Sequence, residues 1–140
     1  MLYLTSFQVA CCFVRKYHSH LPPPIGHLFS MAWIENNTTL AVIIAGRPVN
    51  RNFDTSTIEF TRICLIRKNI KNLYSKVLAA ARRESARRGY TRVITYIRCD
   101  EKGIGLIADN WTAAARIKGR QWHGRKPHLI IDKIRYEHAL

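Results

Sequence analysis

Apolar residues recur along this chain in short runs whose spacing switches between the two-residue period of a strand and the 3.6-residue period of a helix. Residues 2 to 4 read as a short strand. Thr5 or Ser6 then supplies a hydroxyl to cap a helix running from 6 to 17, with Phe7, Ala10, Cys11 and Val14 at helical spacing. The segment Leu21-Pro22-Pro23-Pro24-Ile25-Gly26 fixes φ three times in succession and removes three donors, so neither a helix nor a central strand continues through it. Residues 28 to 34 and 40 to 44 are aliphatic, aromatic or β-branched, and Glu35-Asn36-Asn37-Thr38 between them has turn chemistry, which predicts an antiparallel hairpin. A third strand is expected from 57 to 65. Regular alternation sets Glu59, Thr61 and Ile63 on one of its faces and Phe60, Arg62 and Cys64 on the other.

After a linker at 66 to 70, residues 71 to 88 form the clearest helix. Leu73, Val77, Ala80 and Ala81 make its apolar stripe, Lys76, Arg82, Arg83, Arg87 and Arg88 lie elsewhere, and Gly89 is suited to a left-handed cap. The run Val93-Ile94-Thr95-Tyr96-Ile97 is nearly continuous in apolar character, as a strand covered on both faces should be. A short helix at 103 to 110, a strand at 111 to 117 and a last strand at 130 to 136 complete the order. A chain of 140 residues with these elements predicts one mixed α/β domain.

Charge changes the picture more than any other bulk property. Lysine and arginine number 23 against 9 aspartates and glutamates, a net charge of +14, so a polyanion is the natural partner: DNA, RNA or the phosphates of a nucleotide. No apolar run approaches the roughly 18 residues that span a bilayer. The apolar N-terminal stretch lacks a basic leader and a cleavage site, so a folded, soluble, cytoplasmic protein is expected. Cysteines 11, 12, 64 and 99 have no metal-ligand spacing and read as reduced thiols. Dinucleotide, P-loop, zincin and serine-hydrolase signatures are all missing from the sequence.

Several segments carry a resemblance. Tyr17-His18-Ser19-His20 followed by Pro23-Pro24-Ile25-Gly26-His27-Leu28-Phe29, then Gly46-Arg47-Pro48-Val49, then residues 57 to 64, then residues 89 to 96, then Gly119-Arg120-Gln121-Trp122 stand in an order and spacing similar to small phage and prophage acetyltransferases of the GNAT fold. More distantly, the chain resembles the Mom-type phage proteins that modify adenine in DNA. The resemblance implies an α+β domain: a mixed, mostly antiparallel sheet flanked by helices, in which the fourth and fifth strands splay apart to admit the pantetheine of acetyl-CoA or another acyl-CoA. It places the pyrophosphate at the N-terminus of the long helix, where Arg67, Lys68, Lys71, Asn72, Leu73 and Ser75 would hold it. The glycine-rich turn typical of such loops is replaced here by a stretch with no glycine. No metal is expected.

Individual side chains sharpen this reading. Glu59, on the strand before that loop, is the candidate general base, with a structural ion pair to Arg62 or Arg47 as its alternative. His18 and His20 are candidates for acid–base chemistry, and His27 for contact with the acceptor. Residues 103 to 110 contain no tyrosine to return a proton, so Tyr96, or Tyr74, would approach the cleft from elsewhere. Arg47 and Arg62 stand near strand ends, where a guanidinium forks onto phosphate or carboxylate. Arg116, Lys118, Arg120, Arg125 and Lys126, interleaved with Trp111, Trp122 and His123, form the candidate nucleic-acid segment, with DNA favoured and a basic loop around one buried tryptophan as the alternative. The function expected is acyl transfer to an amine, possible acceptors including a nucleobase. The alternatives are adenine modification and a non-catalytic basic module that binds nucleic acid or a host protein.

Overall fold

In the computed structural model, which describes residues 2–17, 22–66, 70–119 and 131–140, the elements run β1 (Leu2–Thr5), α1 (Phe7–Tyr17), β2 (Phe29–Glu35), β3 (Thr38–Gly46), β4 (Thr57–Leu65), α2 (Leu73–Arg87), β5 (Arg92–Arg98), α3 (Ile104–Ala108), β6 (Thr112–Ile117) and β7 (Lys133–Ala139). The strands form one seven-stranded sheet in the order β1-β2-β3-β4-β5-β7-β6. Every neighbouring pair is antiparallel except β4 and β5, so the α+β class and the mostly antiparallel sheet expected from the resemblance are present. No helix among the described residues is long and apolar enough to cross a membrane.

The β2–β3 hairpin closes on Asn36 and Asn37, both with positive φ, as a two-residue connection matched to strand twist requires. α1 lays Ala10, Phe13 and Val14 on Ala32, Val42, Ile44 and Cys64, so two of the four cysteines, Cys11 and Cys64, are buried as small apolar residues. α2 covers the opposite face, placing Leu73, Val77, Leu78 and Ala81 against Ile43, Ala45, Ile58, Phe60 and Val93. It ends one residue earlier than its pattern suggests. Gly89 at φ 93° lets the amides of Gly89 and Tyr90 reach back to the carbonyls of Ala86 and Ser85, which satisfies the last turn.

Three expectations are corrected by long-range pairing. The alternation in β4 does not run unbroken, because the register against β3 jumps from Arg62↔Ile44 to Phe60↔Ala45 and leaves Thr61 as a bulge, its hydroxyl donating to the Ile44 carbonyl. Ile63 therefore joins Ile58 and Phe60 on the α2 side, while Arg62 and Cys64 fall on the same side as Glu59. The last strand lies three residues later than expected, paired along Arg92–Arg98, and it is inserted between β5 and β6. Trp111 precedes β6 and is buried against Phe60, with ring centroids 5.9 Å apart, so it is a core residue and not a platform for bases.

Gly105 shows how closely α3 meets α2. A Cβ there would lie 2.2 Å from Cδ1 of Tyr74, inside the ring's contact surface. Gly105→Ala is expected to cost about 1–3 kcal/mol through overpacking, read as a lowered midpoint of thermal unfolding, and Tyr74→Leu in the same chain should recover part of it.

Candidate functional site

β4 and β5 run parallel but pair only through Thr57↔Arg92, Ile58↔Val93 and Glu59↔Ile94. Beyond that point β4 continues to Leu65 on β3, and β5 continues to Arg98 on β7, with no ladder between them. The facing edges separate into a V whose apex is Glu59. The hydroxyl of Thr95 donates to the Phe60 carbonyl at 2.8 Å and so satisfies the first acceptor freed by the split. Further along, the open edges present backbone amides and carbonyls to whatever enters.

Glu59 is the buried carboxylate at that apex, only 6% exposed. Its Oε1 accepts from the amide of Val49 at 3.1 Å. Burial pushes its carboxyl above the usual range, against the opposing effects of the Val49 hydrogen bond and of the positive charges of Arg62 and Lys133. Tyr96 projects from the same face two residues beyond Glu59's partner Ile94, and its partner on β7 is Arg135, whose charge works against the rise of the phenol. Burial first, and then the charge of Glu59, raises the Tyr96 phenol, so at neutral pH it keeps its proton. A carboxylate able to take a proton and a phenol able to give one thus share one face at the apex.

The long helix starts just past the end of β4. Its N-cap, Asn72, sits in the left-handed region at φ 61° and its side chain caps nothing; the Ser75 hydroxyl instead donates to the Asn72 carbonyl at 3.2 Å. Lys71 and Asn72 are exposed beside this positive helix end, which fits an anionic ligand. Leu73 departs from the expectation: its side chain is in the core and its amide donates to the Ile70 carbonyl, so it offers little to a ligand.

The remaining candidates separate. Arg62 donates from Nε to the Pro22 carbonyl at 2.8 Å and from Nη1 to the Thr61 carbonyl at 2.6 Å, which ties the proline connector to β4 while its charge acts on Glu59. His27 is exposed, stacks on Phe7 and pairs its Nδ1 with the Ser30 hydroxyl at 2.7 Å; desolvation, and then Arg88, lower its basicity. Arg47 is exposed just after β3 and lines a depression of about 400 Å³ with Arg51, Phe53 and Tyr90, while a larger one of about 580 Å³ lies around Thr91, Arg92 and Ala139. Neither depression is at the V. Tyr74 is packed on Gly105, on the α2 side of the sheet. His18, His20, Arg67, Lys68, Arg120, Trp122, Arg125 and Lys126 lie outside the described residues. Among the described residues, no three potential metal ligands gather.

The cations that composition suggests for a polyanion are partly engaged elsewhere. Arg82 is paired with Asp109, Arg87 and Arg88 with Glu84, and Arg116 with Asp132. One feature the sequence reading missed is the loop 47–56, which supplies the Val49 amide to Glu59; its turn-forming Asn50 and Asp54-Thr55-Ser56 were the available signal.

No family model and no curated protein matches the sequence. Solved structures do match the fold. An N-acetyltransferase from Staphylococcus aureus Mu50 aligns over 99% of this chain and 97% of its own at a TM-score of 0.75 and 16% identity. A ribosomal-protein-alanine N-acetyltransferase from Brucella melitensis covers 100% and 99% at 0.73 and 11%. The yncA protein of Salmonella typhimurium, solved with its cofactor acetyl-CoA, covers 99% and 92% at 0.74 and 13%. With its V between β4 and β5 and its full-length alignment to these acetyltransferases, the chain has the GNAT fold.

Proposed function

We propose that this protein is an acyl-CoA-dependent N-acyltransferase that works in the V between β4 and β5. The observation that carries this reading is the position of a buried, hydrogen-bonded carboxylate, Glu59, at the point where the two strands part. The open edges suit a ligand with amide groups along its length, as pantetheine has, and the exposed N-terminus of α2 with Lys71 suits its phosphates. In the transfer the acceptor nitrogen forms a bond to the acyl carbon and loses a proton, and the bond from carbon to sulfur breaks as the thiol gains one. Glu59 takes the first proton. Tyr96 stands on the same face to supply the second.

Calorimetric titration with acetyl-CoA tests this. Saturable binding at micromolar concentration is expected, and no heat at millimolar concentration would defeat the reading.

The net charge of +14 favours an acceptor amine carried on a polyanion, DNA among them. If three or four cations contact phosphate, log K for a DNA duplex should fall against log salt with a slope of about −2.7 to −3.6. Affinity that ignores salt would remove nucleic acid from consideration.

A further inference from the structure

The loop 47–56 between β3 and β4 is folded by its own side chains. Asn50 accepts at Oδ1 from the Asn52 amide at 3.0 Å, and its carbonyl accepts from the Phe53 amide. Asp54 Oδ1 collects the Ser56 amide, the Ser56 hydroxyl and the Thr57 hydroxyl, at 3.1, 2.7 and 2.9 Å. Two successive turns of this kind leave the backbone little freedom and project Phe53 onto the sheet. There its ring meets two guanidiniums, Arg92 at 5.1 Å and Arg135 at 5.0 Å from the centroid. Both are steadied by Glu137, whose Oε1 lies 3.2 Å from Arg135 Nε and 3.6 Å from Arg92 Nη1. Arg135 Nε and Glu137 Oε1 are both buried and meet as an ion pair and not through a hydrogen bond. Arg92 also donates to the Thr57 hydroxyl at 3.2 Å, which closes the base of the loop.

The two ends of this arrangement reach the two proton-transfer candidates. Val49 at the start of the loop donates to Glu59, and Arg135 beneath Phe53 stands opposite Tyr96 across β5 and β7, its charge acting on the phenol. Resting on the function proposed above, we infer that Phe53 is a positioning residue: held on Arg92 and Arg135, it fixes the loop so that the Val49 amide orients Glu59 while Arg135 orients Tyr96. The hydrogen bond to Val49 holds the carboxylate by Oε1. The aromatic ring is the part that matters, since an aliphatic side chain of similar volume fills the space without attracting the guanidiniums.

The test uses the amide of Val49 in the whole protein, followed by nuclear magnetic resonance as pH is raised. In the wild type its proton should shift downfield as Glu59 ionises, at a pH above the usual carboxylate range, and Glu59→Gln should abolish that step. Phe53→Ala and Phe53→Leu should uncouple the amide from the titration and speed its exchange with solvent at least 10-fold, while Phe53→Tyr should restore wild-type behaviour. Amide dispersion from β2 to β4 reports that each variant is folded. Acetyl-CoA should bind Phe53→Ala within a factor of two of wild type, because the loop meets the V only at its apex, through Val49, and not along the open edges or the start of α2. A Val49 amide that still follows Glu59 in Phe53→Ala, or is lost equally in Phe53→Tyr, overturns the inference. Failure of the wild type to bind acetyl-CoA would instead overturn the function on which it rests, leaving the amide result intact.

Discussion

Glu59→Gln is expected to lower acyl transfer by roughly 10²- to 10⁴-fold, the usual contribution of a positioned general base, while acetyl-CoA binds as before. Release of free thiol in the presence of an amine acceptor measures the first, and calorimetry the second. Glutamine keeps an oxygen for the Val49 amide but cannot accept a proton at neutral pH. The pH dependence follows from burial. The Glu59 carboxyl is raised, and the base works only when ionised, so the rate should rise through a pH above the ordinary carboxylate range. Stability moves the other way. A carboxyl that holds its proton more tightly when folded stabilises the protein below its unfolded value, and this contribution is lost as pH climbs through the folded value. At neutral pH the wild type therefore carries the cost of a buried charge that glutamine lacks, and Glu59→Gln should be at least as stable there, with the advantage vanishing in acid. An inactive variant that is also unstable would point to a structural carboxylate instead.

Asp109→Ala is expected to have the largest effect on stability of any change away from the V, about 3–5 kcal/mol. Asp109 receives Arg82 as a fork, Nε at 2.7 Å and Nη2 at 2.6 Å, and also the indole N–H of Trp111 at 2.8 Å. It is 8% exposed, and its loss strands a largely desolvated guanidinium and a buried indole donor together. These three groups pin α2 and the end of α3 to Trp111, which packs on Phe60, the residue after Glu59. Against a typical total of about 5–15 kcal/mol this is a large share, so urea unfolding should show a clearly lowered midpoint. Asp109→Asn keeps an acceptor for the indole and should fall between. A loss below about 1 kcal/mol would mean that the pair is solvated and does not hold α2 in place.

The parts of the fold that were legible in the sequence are those set by nearby residues. α2 and its glycine cap follow from a local apolar stripe and one left-handed position, and the β2–β3 turn follows from two asparagines. The misread parts depend on partners far along the chain. The bulge at Thr61 exists because β3 pairs with β4 in two registers, and it moves Arg62 to the side of Glu59. The place of β7 between β5 and β6, and its start at Lys133, are set by pairing with β5, since Ile130 and Ile131 alternate as well as the residues that follow. Trp111 stands in a basic stretch, where the sequence leaves open a stacking platform or a buried indole, and Asp109 two residues earlier decides it by accepting from the buried N–H. In the candidate site, Glu59 and Tyr96 were legible as chemical types on strands. Their meeting at the apex was not, because that depends on where the ladder between β4 and β5 stops.

The most direct measurement of the central claim is the map of backbone amide shifts on titration with acetyl-CoA. The account predicts that the changes concentrate on residues 60 to 65 of β4, 95 to 98 of β5 and the first turn of α2, and that they persist in Glu59→Gln. Changes confined to the depression around Thr91, Arg92 and Ala139, or no changes at all, would contradict it.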